Sequence, residues 1–261
     1  MPQHELETLT AFVEGTLGYA IESVEVEGFL SERWASDPAR AASRRIREIN
    51  ITCKNRNKPL RIGYDTKTGV IGSYISRNED PECAQSLGYE RAFSAESAFR
   101  STIPILQYYG LSTRLADYCR VFQDSIQLNQ ALEGDLYGAE WRFYRVLSHE
   151  GMPCRGSKIS LYVSAADGRL SHFHYAPVIP PEPCEFRISQ DQAVNIAEEW
   201  FPTAGMDERH VYADDVKQVV AAPGFFSDPH GKITVTFDRP TKSFYCWEVP
   251  FKYYSDSFLM Y

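Results

Sequence analysis

The stretch SAADGRLSHFHYAP, residues 164–177, combines a turn with an alternating strand. Gly168 lies near the end of the turn, and polar and apolar side chains alternate after it. A period of two residues indicates a half-buried β-strand, and a glycine-containing turn between two such strands indicates a β-hairpin. In an extended strand His172 and His174 project from one face and Phe173 from the other. The stretch therefore predicts a hairpin and raises the question of a metal site.

The same hairpin pattern occurs 99 positions earlier, in PLRIGYDTKTGVIGSYI at residues 59–75. At this shift Gly69 aligns with Gly168, and Tyr74 aligns with Phe173. Self-similarity at a fixed spacing is typical of chains built from repeated supersecondary units. We therefore expect two hairpins with the same turn, each belonging to one copy of a repeated unit.

Helix patterns recur as well, since FSAESAF at 93–99 resembles ISQDQAV at 188–194. In the second copy Ser189 and Gln192 have the spacing of a capping box, which predicts that a helix begins there. Pro104 interrupts the first copy, so that helix is expected to be short or kinked.

Two helices are predicted to bury an apolar stripe at helical spacing. The first extends from Glu5 to Leu17, and Gly18 ends it. Its inward residues are predicted to be Leu6, Leu9, Val13 and Leu17. Those of the helix after Ser189 are predicted to be Ala193, Ile196, Ala197 and Trp200, with Pro202 just beyond its end.

Two strands that contain tryptophan complete the pattern, EWRFYRV at 140–146 and CWEVPFKYY at 246–254. The proline-rich stretch APVIPPEPCEF, residues 176–186, separates them as an extended linker. This order of helices and strands predicts an α+β fold in which each unit packs one helix on an antiparallel sheet. The predicted units are residues 1–88, 89–180 and 181–261, the last one truncated before its final hairpin.

These features resemble the PepSY family, in particular its tandem modules. ISQDQAVNIAEEWF (188–201) resembles the helix that opens a module, and CWEVPF (246–251) resembles a tryptophan strand. Residues 137–251 carry most of the likeness. The resemblance implies a cystatin-like fold, with a helix on an antiparallel sheet. Family members occur in propeptides of secreted metalloproteases and in regulatory proteins, so it also implies a non-catalytic module that binds or restrains a partner.

A metal site is the alternative that the two histidines suggest. His172 and His174 on one strand face can ligate zinc, and His149 or Glu150 from a neighbouring strand is the candidate for a third ligand. Such a site would make the chain a metal-dependent hydrolase. The repeat, however, places Ser73 and Ile75 at the two histidine positions, which favours a permissive strand face. We therefore predict no cofactor.

Other catalytic patterns are weak. Cys154 and His149 lie close in sequence, but nothing marks the third group that a thiol nucleophile and its base require. Glu198 and Glu199 point about 100° apart on a helix, so they do not form an acid–base pair. The pair Asp214–Asp215 is interpreted as a solvated face in the same way. No nucleophile elbow, phosphate loop or H-E-x-x-H motif is present, and no catalytic residue is predicted.

Composition limits the partners. The chain of 261 residues has a net charge of −8, which argues against nucleic acid as a ligand. No apolar run has the length of a membrane span, and no signal peptide is evident at the N-terminus. The chain is thus expected to be cytoplasmic if complete and extracytoplasmic if trimmed. The chain has six cysteines and no CxxC motif, and we expect the cysteines to be small buried thiols.

Binding of a protein or an extended peptide is the predicted function, because open antiparallel sheets have edges that pair with an added strand. The candidate binding residues are Phe225 and Phe226 in a loop, and Tyr245 and Trp247 on a strand. The exposed edge is expected at Ile233–Phe237 or at the Trp247 strand. The binding would be inhibitory or regulatory toward a protease or another envelope enzyme, and a purely structural module of a larger assembly is the remaining alternative.

Overall fold

A computed structural model describes most of the chain, as two compact units. The described residues are 1–29, 46–54, 56, 58–66, 68–76, 93–123, 126–127, 136–137, 139–165, 167–181, 189–203, 209–211, 217–221, 244–248, 251–253 and 259–260. The first unit comprises Met1–Arg145 and Ile159–Tyr175, and the second comprises Val146–Lys158 and Ala176–Tyr261. The fold is mixed α+β, with few helices and a large, mostly antiparallel sheet. The module boundaries predicted from the sequence stay predictions.

Eight of the described strands lie wholly or partly in the first unit and pair side by side. They are β1 (Ile21–Phe29), β2 (Ile46–Cys53), β3 (Leu60–Asp65), β4 (Val70–Ser76), β5 (Cys119–Gln123), β8 (Glu140–His149), β9 (Met152–Ser164) and β10 (Leu170–Ala176). Their spatial order is β1-β2-β3-β4-β10-β9-β8-β5. A separate short pair joins β6 (Ile126–Gln127) to β7 (Leu136–Tyr137).

Both predicted hairpins are present, and their turns have the same geometry. The N–H of Gly69 donates to the carbonyl of Asp65 at 2.8 Å, and that of Gly168 donates to the carbonyl of Ser164 at 2.9 Å. Both glycines have a φ of +70°, the left-handed conformation that favours glycine. The predicted turn is therefore confirmed in each copy.

The two hairpins lie side by side, because β4 pairs with β10 in antiparallel orientation. The register pairs Tyr74 with Phe173, its own counterpart at the shift of 99 residues. On either side of this pair Ile75 is opposite His172, and Ser73 is opposite His174. This register relates the two strands by an approximate local two-fold axis that passes through the Tyr74–Phe173 pair.

Helices cover one face of this sheet. They are α1 (Gln3–Thr10), which continues as a π-helical segment over Ala11–Thr16, α2 (Ala95–Arg100) and α3 (Ile103–Tyr108). Gly18 follows the first helix with a φ of +73°, as predicted. The predicted interruption at Pro104 is also confirmed, because Pro104 lies in the first turn of α3.

Aromatic rings fill the space between helices and sheet. Phe173 is fully buried, and its ring centroid lies 5.8 Å from Phe12, 5.9 Å from Tyr74 and 5.9 Å from Tyr109. Tyr74 and Phe173 stack with an interplanar angle of 16°. This contact connects the two repeated hairpins within one core, and aromatic pairs of this kind contribute more than their buried area alone.

The inward stripe predicted for the first helix is wrong at one position and incomplete at another. Leu9 and Val13 are buried as predicted, but Leu6 is exposed. Glu5 lies inward in its place because its carboxylate pairs with Arg47 on β2. Phe12, which the sequence stripe omitted, is buried where the helix widens to the π form and the amide of residue 17 bonds the carbonyl of Phe12.

In the second unit, α4 (Gln190–Thr203) begins with the predicted capping box. The amide of Gln192 donates to Ser189 Oγ at 3.3 Å, and that of Ser189 donates to Gln192 Oε1 at 2.8 Å. Ala193 is buried, but Ile196 is exposed, contrary to prediction. Because Val194 is half-buried, the inward direction lies between residues 193 and 194, about 110° from Ile196. The helix also extends past Pro202, which was predicted to lie beyond its end.

The strands of the second unit form two groups. They are β11 (Arg209–Val211), β12 (Lys217–Ala221), β13 (Phe244–Glu248), β14 (Phe251–Tyr253) and β15 (Leu259–Met260). Strand β12 pairs with β13 in antiparallel orientation and with the opening of β9 in parallel orientation, at Val220 and Cys154. The sequence predicted antiparallel pairing, and this parallel pair differs from that prediction. Parallel pairing is possible here because the long connection through α4 supplies the crossover that it requires.

None of the helices in the described part of the chain has the length and apolar character needed to span a membrane. Of the cysteines whose side chains are described, Cys53 and Cys154 are buried free thiols, as predicted. Cys119 is exposed, contrary to prediction, because it lies on β5 at the end of the sheet.

The turn glycines provide a test of the repeated geometry. We expect Gly168→Ala and Gly69→Ala each to lower the free energy of unfolding by about 1–2 kcal/mol, the cost of a left-handed residue that carries Cβ. The loss should be larger at Gly168, where a Cβ would lie 3.3 Å from the Phe93 ring; at Gly69 the nearest atom is Tyr64 Oη at 3.7 Å. Urea denaturation measures both.

The matched control is Gly15→Ala, because no atom lies within 4 Å of a Cβ at that position and Gly15 does not have a positive φ. We expect no loss of stability from it. Equal effects of all three substitutions would contradict the assigned turn geometry.

Candidate functional site

The outer face of the first unit's sheet is the face opposite the helices, and it bears the two predicted histidines. Phe173 points into the core, whereas His172 and His174 project outward from β10 with their ring centroids 6.2 Å apart. The predicted shared face of the two histidines is therefore confirmed. His174 is exposed, and only 15% of the His172 side chain is exposed.

A continuous row of side chains crosses this face, and we call it the outer row. Its members, from edge to centre, are Val121 (β5), Arg142 (β8), Tyr162 (β9), His172 (β10) and Ile75 (β4). Val121 is paired with Arg142, and His172 with Ile75, in the strand register. The His172 ring stacks on Tyr162 at 3.7 Å, and the Arg142 guanidinium lies 5.3 Å from the Tyr162 centroid. The row joins side chains from five strands.

Two tyrosines hold the Arg142 guanidinium in place. Its Cζ lies 5.4 Å from the centroid of Tyr144 and 5.3 Å from that of Tyr162. Both separations are within the range of cation–π attraction. Among the described residues, Arg142 Nε is buried and has no hydrogen-bond partner, and the same holds for the hydroxyl of Ser160, two residues from Tyr162 on β9.

A buried carboxyl group lies beside the row, at the beginning of β8. The Ser171 hydroxyl is 2.6 Å from Glu140 Oε1, 3.0 Å from the carbonyl oxygen of Tyr162 and 3.2 Å from His172 Nδ1. The hydroxyl has one hydrogen, and a carbonyl can only accept. All three contacts are hydrogen bonds when Ser171 donates to Tyr162 and accepts from a protonated Glu140 and from His172 Nδ1–H.

Burial supports this protonation state. Desolvation raises the pKa of Glu140 from 4.5 to about 7, although the hydrogen bond that Ser171 donates to the ionised carboxylate acts in the opposite direction. Desolvation, followed by the charges of His174 and Arg142, lowers the pKa of His172 from 6.5 to about 3. Glu140 Oε2 is buried and has no partner among the residues that the structure describes, which a neutral carboxyl tolerates better than a charged one. The pair is therefore a neutral acid beside a neutral imidazole at mildly acidic pH.

The predicted metal site lacks a third ligand in the described part of the chain. No three His, Cys, Asp or Glu side chains there come together in a way that would hold a metal ion. His149 is the last residue of β8 and belongs to the second unit. The metal-dependent hydrolase based on His172 and His174 stays an untested alternative.

The predicted binding residues belong to the second unit. Phe225, Phe226 and the predicted edge Ile233–Phe237 lie outside the described residues. Tyr245 and Trp247 are on β13, opposite Val220 and Gln218 of β12. Among the described strands β13 pairs only with β12, so the expectation of an edge at the Trp247 strand remains consistent with this register.

Sequence reasoning missed Glu140, Arg142, Tyr162 and Ser171. A signal was available for two of them, because the alternation in EWRFYRV places Glu140 and Arg142 on the face opposite Trp141 and Phe143. Ser171 corresponds to Gly72 in the first hairpin, where the register between β3 and β4 shifts. Such an irregularity redirects a side chain, and the sequence alone does not locate it.

The two edges of this sheet differ. Strand β1 has two register irregularities against β2, and it carries Glu22, Glu25 and Glu27. Bulges and charges of this kind protect an edge from pairing with another strand. Strand β5 pairs with β8 over five residues without irregularity, and Val121 in its middle is 43% exposed. Within the described strands β5 pairs only with β8.

Comparison with known proteins adds a distant likeness. No family model matches the chain, and no curated protein has a significantly similar sequence. Among solved structures, the chain is similar to the Bacillus megaterium YpeB C-terminal domain, with 12% sequence identity and a TM-score of 0.40. The similarity covers 98% of this chain and 89% of that one. A likeness this distant carries no information about function.

Proposed function

We propose that the chain is a non-catalytic binding protein that takes up an extended segment of a partner protein along β5. In this proposal the segment pairs with the side of β5 that faces away from β8, as an added strand, and main-chain hydrogen bonds supply much of the affinity. The chain would be built of tandem PepSY-like modules, and its partner would be a protease or another envelope enzyme that it restrains.

The observation that carries the proposal is the regular, apolar-centred edge at β5. Natural sheets usually protect an edge with charges, prolines, bulges or a covering element. Over Cys119–Gln123, strand β5 has no proline and no bulge, and its one charged residue is Arg120. The Arg120 side chain lies 3.5 Å from Glu96 on the helix side. The exposed Val121 is on the outer face instead, where an incoming strand would place alternate side chains.

The sheet offers a matched pair of variants for the test. Val121 on β5 and Val26 on β1 are both valines on edge strands, and each is 43% exposed. We expect Val121→Lys to weaken binding of peptides selected from a displayed peptide library by about tenfold, since lysine at an edge opposes strand addition. Val26→Lys should leave the affinity unchanged, because β1 is already protected. Fluorescence anisotropy with the selected peptides measures both affinities.

Two outcomes would count against the proposal. One is that the library yields no peptide that binds the folded protein. The other is that Val26→Lys and Val121→Lys weaken binding equally, which would place the contact elsewhere.

A further inference from the structure

Arg142 is the arginine of the outer row, and it lies next to the proposed binding edge. The β5–β8 register places it directly opposite Val121, so both side chains project from the same face. A strand added to β5 would be about 10 Å from β8, two strand spacings, with only the short side chain of Val121 between them. A long side chain on the added strand can reach the Arg142 guanidinium over this valine.

The charge of Arg142 has no acidic partner among the described residues. Three other arginines of the first unit do have one: Arg61 lies 3.9 Å from Glu48, Arg120 lies 3.5 Å from Glu96, and Arg145 lies 4.0 Å from Asp117. Arg142 instead contacts the faces of Tyr144 and Tyr162, which fix its position without neutralising its charge. A guanidinium held in this way has its hydrogen-bond donors already oriented, so less freedom is lost when it binds a carboxylate.

A second observation concerns unsatisfied polar atoms on the outer face. In the described part of the chain, Arg142 Nε and the hydroxyl of Ser160 are both buried without hydrogen-bond partners, and Ser160 itself is 2% exposed. Ser160 is two residues from Tyr162 on β9, so both side chains project from the outer face. Buried donors without acceptors are rare in native proteins, and a ligand oxygen is one of the groups that satisfies them.

We infer that the partner segment carries an acidic side chain at the position beside Val121, and that Arg142 binds its carboxylate. This inference rests on the proposed strand addition at β5, and it adds a preference for an added strand with an acidic side chain. A carboxylate is the group that a planar guanidinium binds through two parallel hydrogen bonds. Because this chain has a net charge of −8, an external segment is favoured over a second copy of the chain.

The test uses three synthetic peptides of alternating valine and threonine that differ only in the central residue, which is Glu, Gln or Lys. We expect the Glu peptide to bind about tenfold more tightly than the Gln peptide, and the Lys peptide to bind more weakly than both. In Arg142→Gln the preference for Glu over Gln should fall below about twofold. Arg61→Gln is the matched control and should keep the preference.

Arg142→Lys guards against a folding defect, since it keeps the charge and should keep part of the preference for Glu. Equal binding of the Glu and Gln peptides overturns this inference and leaves strand addition intact. Persistence of the preference in Arg142→Gln also overturns it. Binding of none of the three peptides overturns strand addition and this inference together.

A second copy of the chain would also bring glutamates to Arg142, through its β1 strand. Sedimentation velocity on the free protein separates the two cases. A monomer at all concentrations supports an external segment, whereas a dimer that Val26→Lys abolishes would overturn the inference in favour of self-association.

Discussion

Replacing Phe173 with alanine should lower the free energy of unfolding by about 3–5 kcal/mol, the usual cost of removing a fully buried phenylalanine ring. Phe173 has no exposed surface, and its ring contacts Phe12, Tyr74 and Tyr109 from both the helix and the strand side. Because Tyr74 and Phe173 connect the two hairpins, the loss should affect both of them in one cooperative transition. Urea denaturation followed by far-ultraviolet circular dichroism measures the change.

Phe93→Ala is the matched control, because Phe93 is an aromatic residue of the same unit that is 45% exposed. We expect it to cost about 1 kcal/mol or less, as surface substitutions usually do. A loss at Phe173 no larger than that at Phe93 would mean that the hairpins do not share the core described here.

Replacing Glu140 with glutamine should stabilise the protein relative to the wild type as the pH rises. Burial raises the pKa of Glu140 from 4.5 to about 7. A raised pKa means that the contribution of Glu140 to stability is fully present below pH 4.5 and is lost as the pH rises to about 7. The wild type should therefore lose about 3 kcal/mol across this window, a loss that the uncharged glutamine avoids.

The quantity to measure is the difference in unfolding free energy between Glu140→Gln and the wild type at each pH. The wild type alone is not sufficient, because His172 changes stability with pH in the opposite direction. Its pKa is lowered from 6.5 to about 3, so its contribution is present above pH 6.5 and lost as the pH falls. Glutamine keeps a donor for Ser171 through its amide, so the hydrogen bonds there are retained. Unfolding free energies of both proteins between about pH 4 and pH 8 test this, and a difference that does not change with pH would contradict the buried, neutral carboxyl.

The fold was predictable wherever the signal lies in neighbouring residues. The turns at Gly69 and Gly168, the capping box of Ser189 and Gln192, and the interruption at Pro104 each depend on a few adjacent positions. Their physical causes are local, namely a left-handed glycine, a side-chain cap and a missing amide hydrogen. The shift of 99 residues also predicted which residues would be equivalent.

The candidate site was not predictable in this way, because its parts come from different strands. Glu140 and Arg142 alternate as ordinary polar residues of a strand, and only the pairing of β5, β8, β9 and β10 brings them to Val121, Tyr162 and Ser171. The sequence emphasised His172 and His174 because two histidines on one face suggest a metal. The structure instead gives His172 a tyrosine to stack on and a serine to bond.

The central claim is that β5 is the binding edge, and amide hydrogen exchange tests it most directly. A peptide selected for binding should slow exchange within Cys119–Gln123 and leave Ile21–Phe29 unchanged, because an added strand bonds the β5 amides that point away from β8. Slowed exchange in β1, or no change in β5 on saturation with the peptide, would contradict the claim.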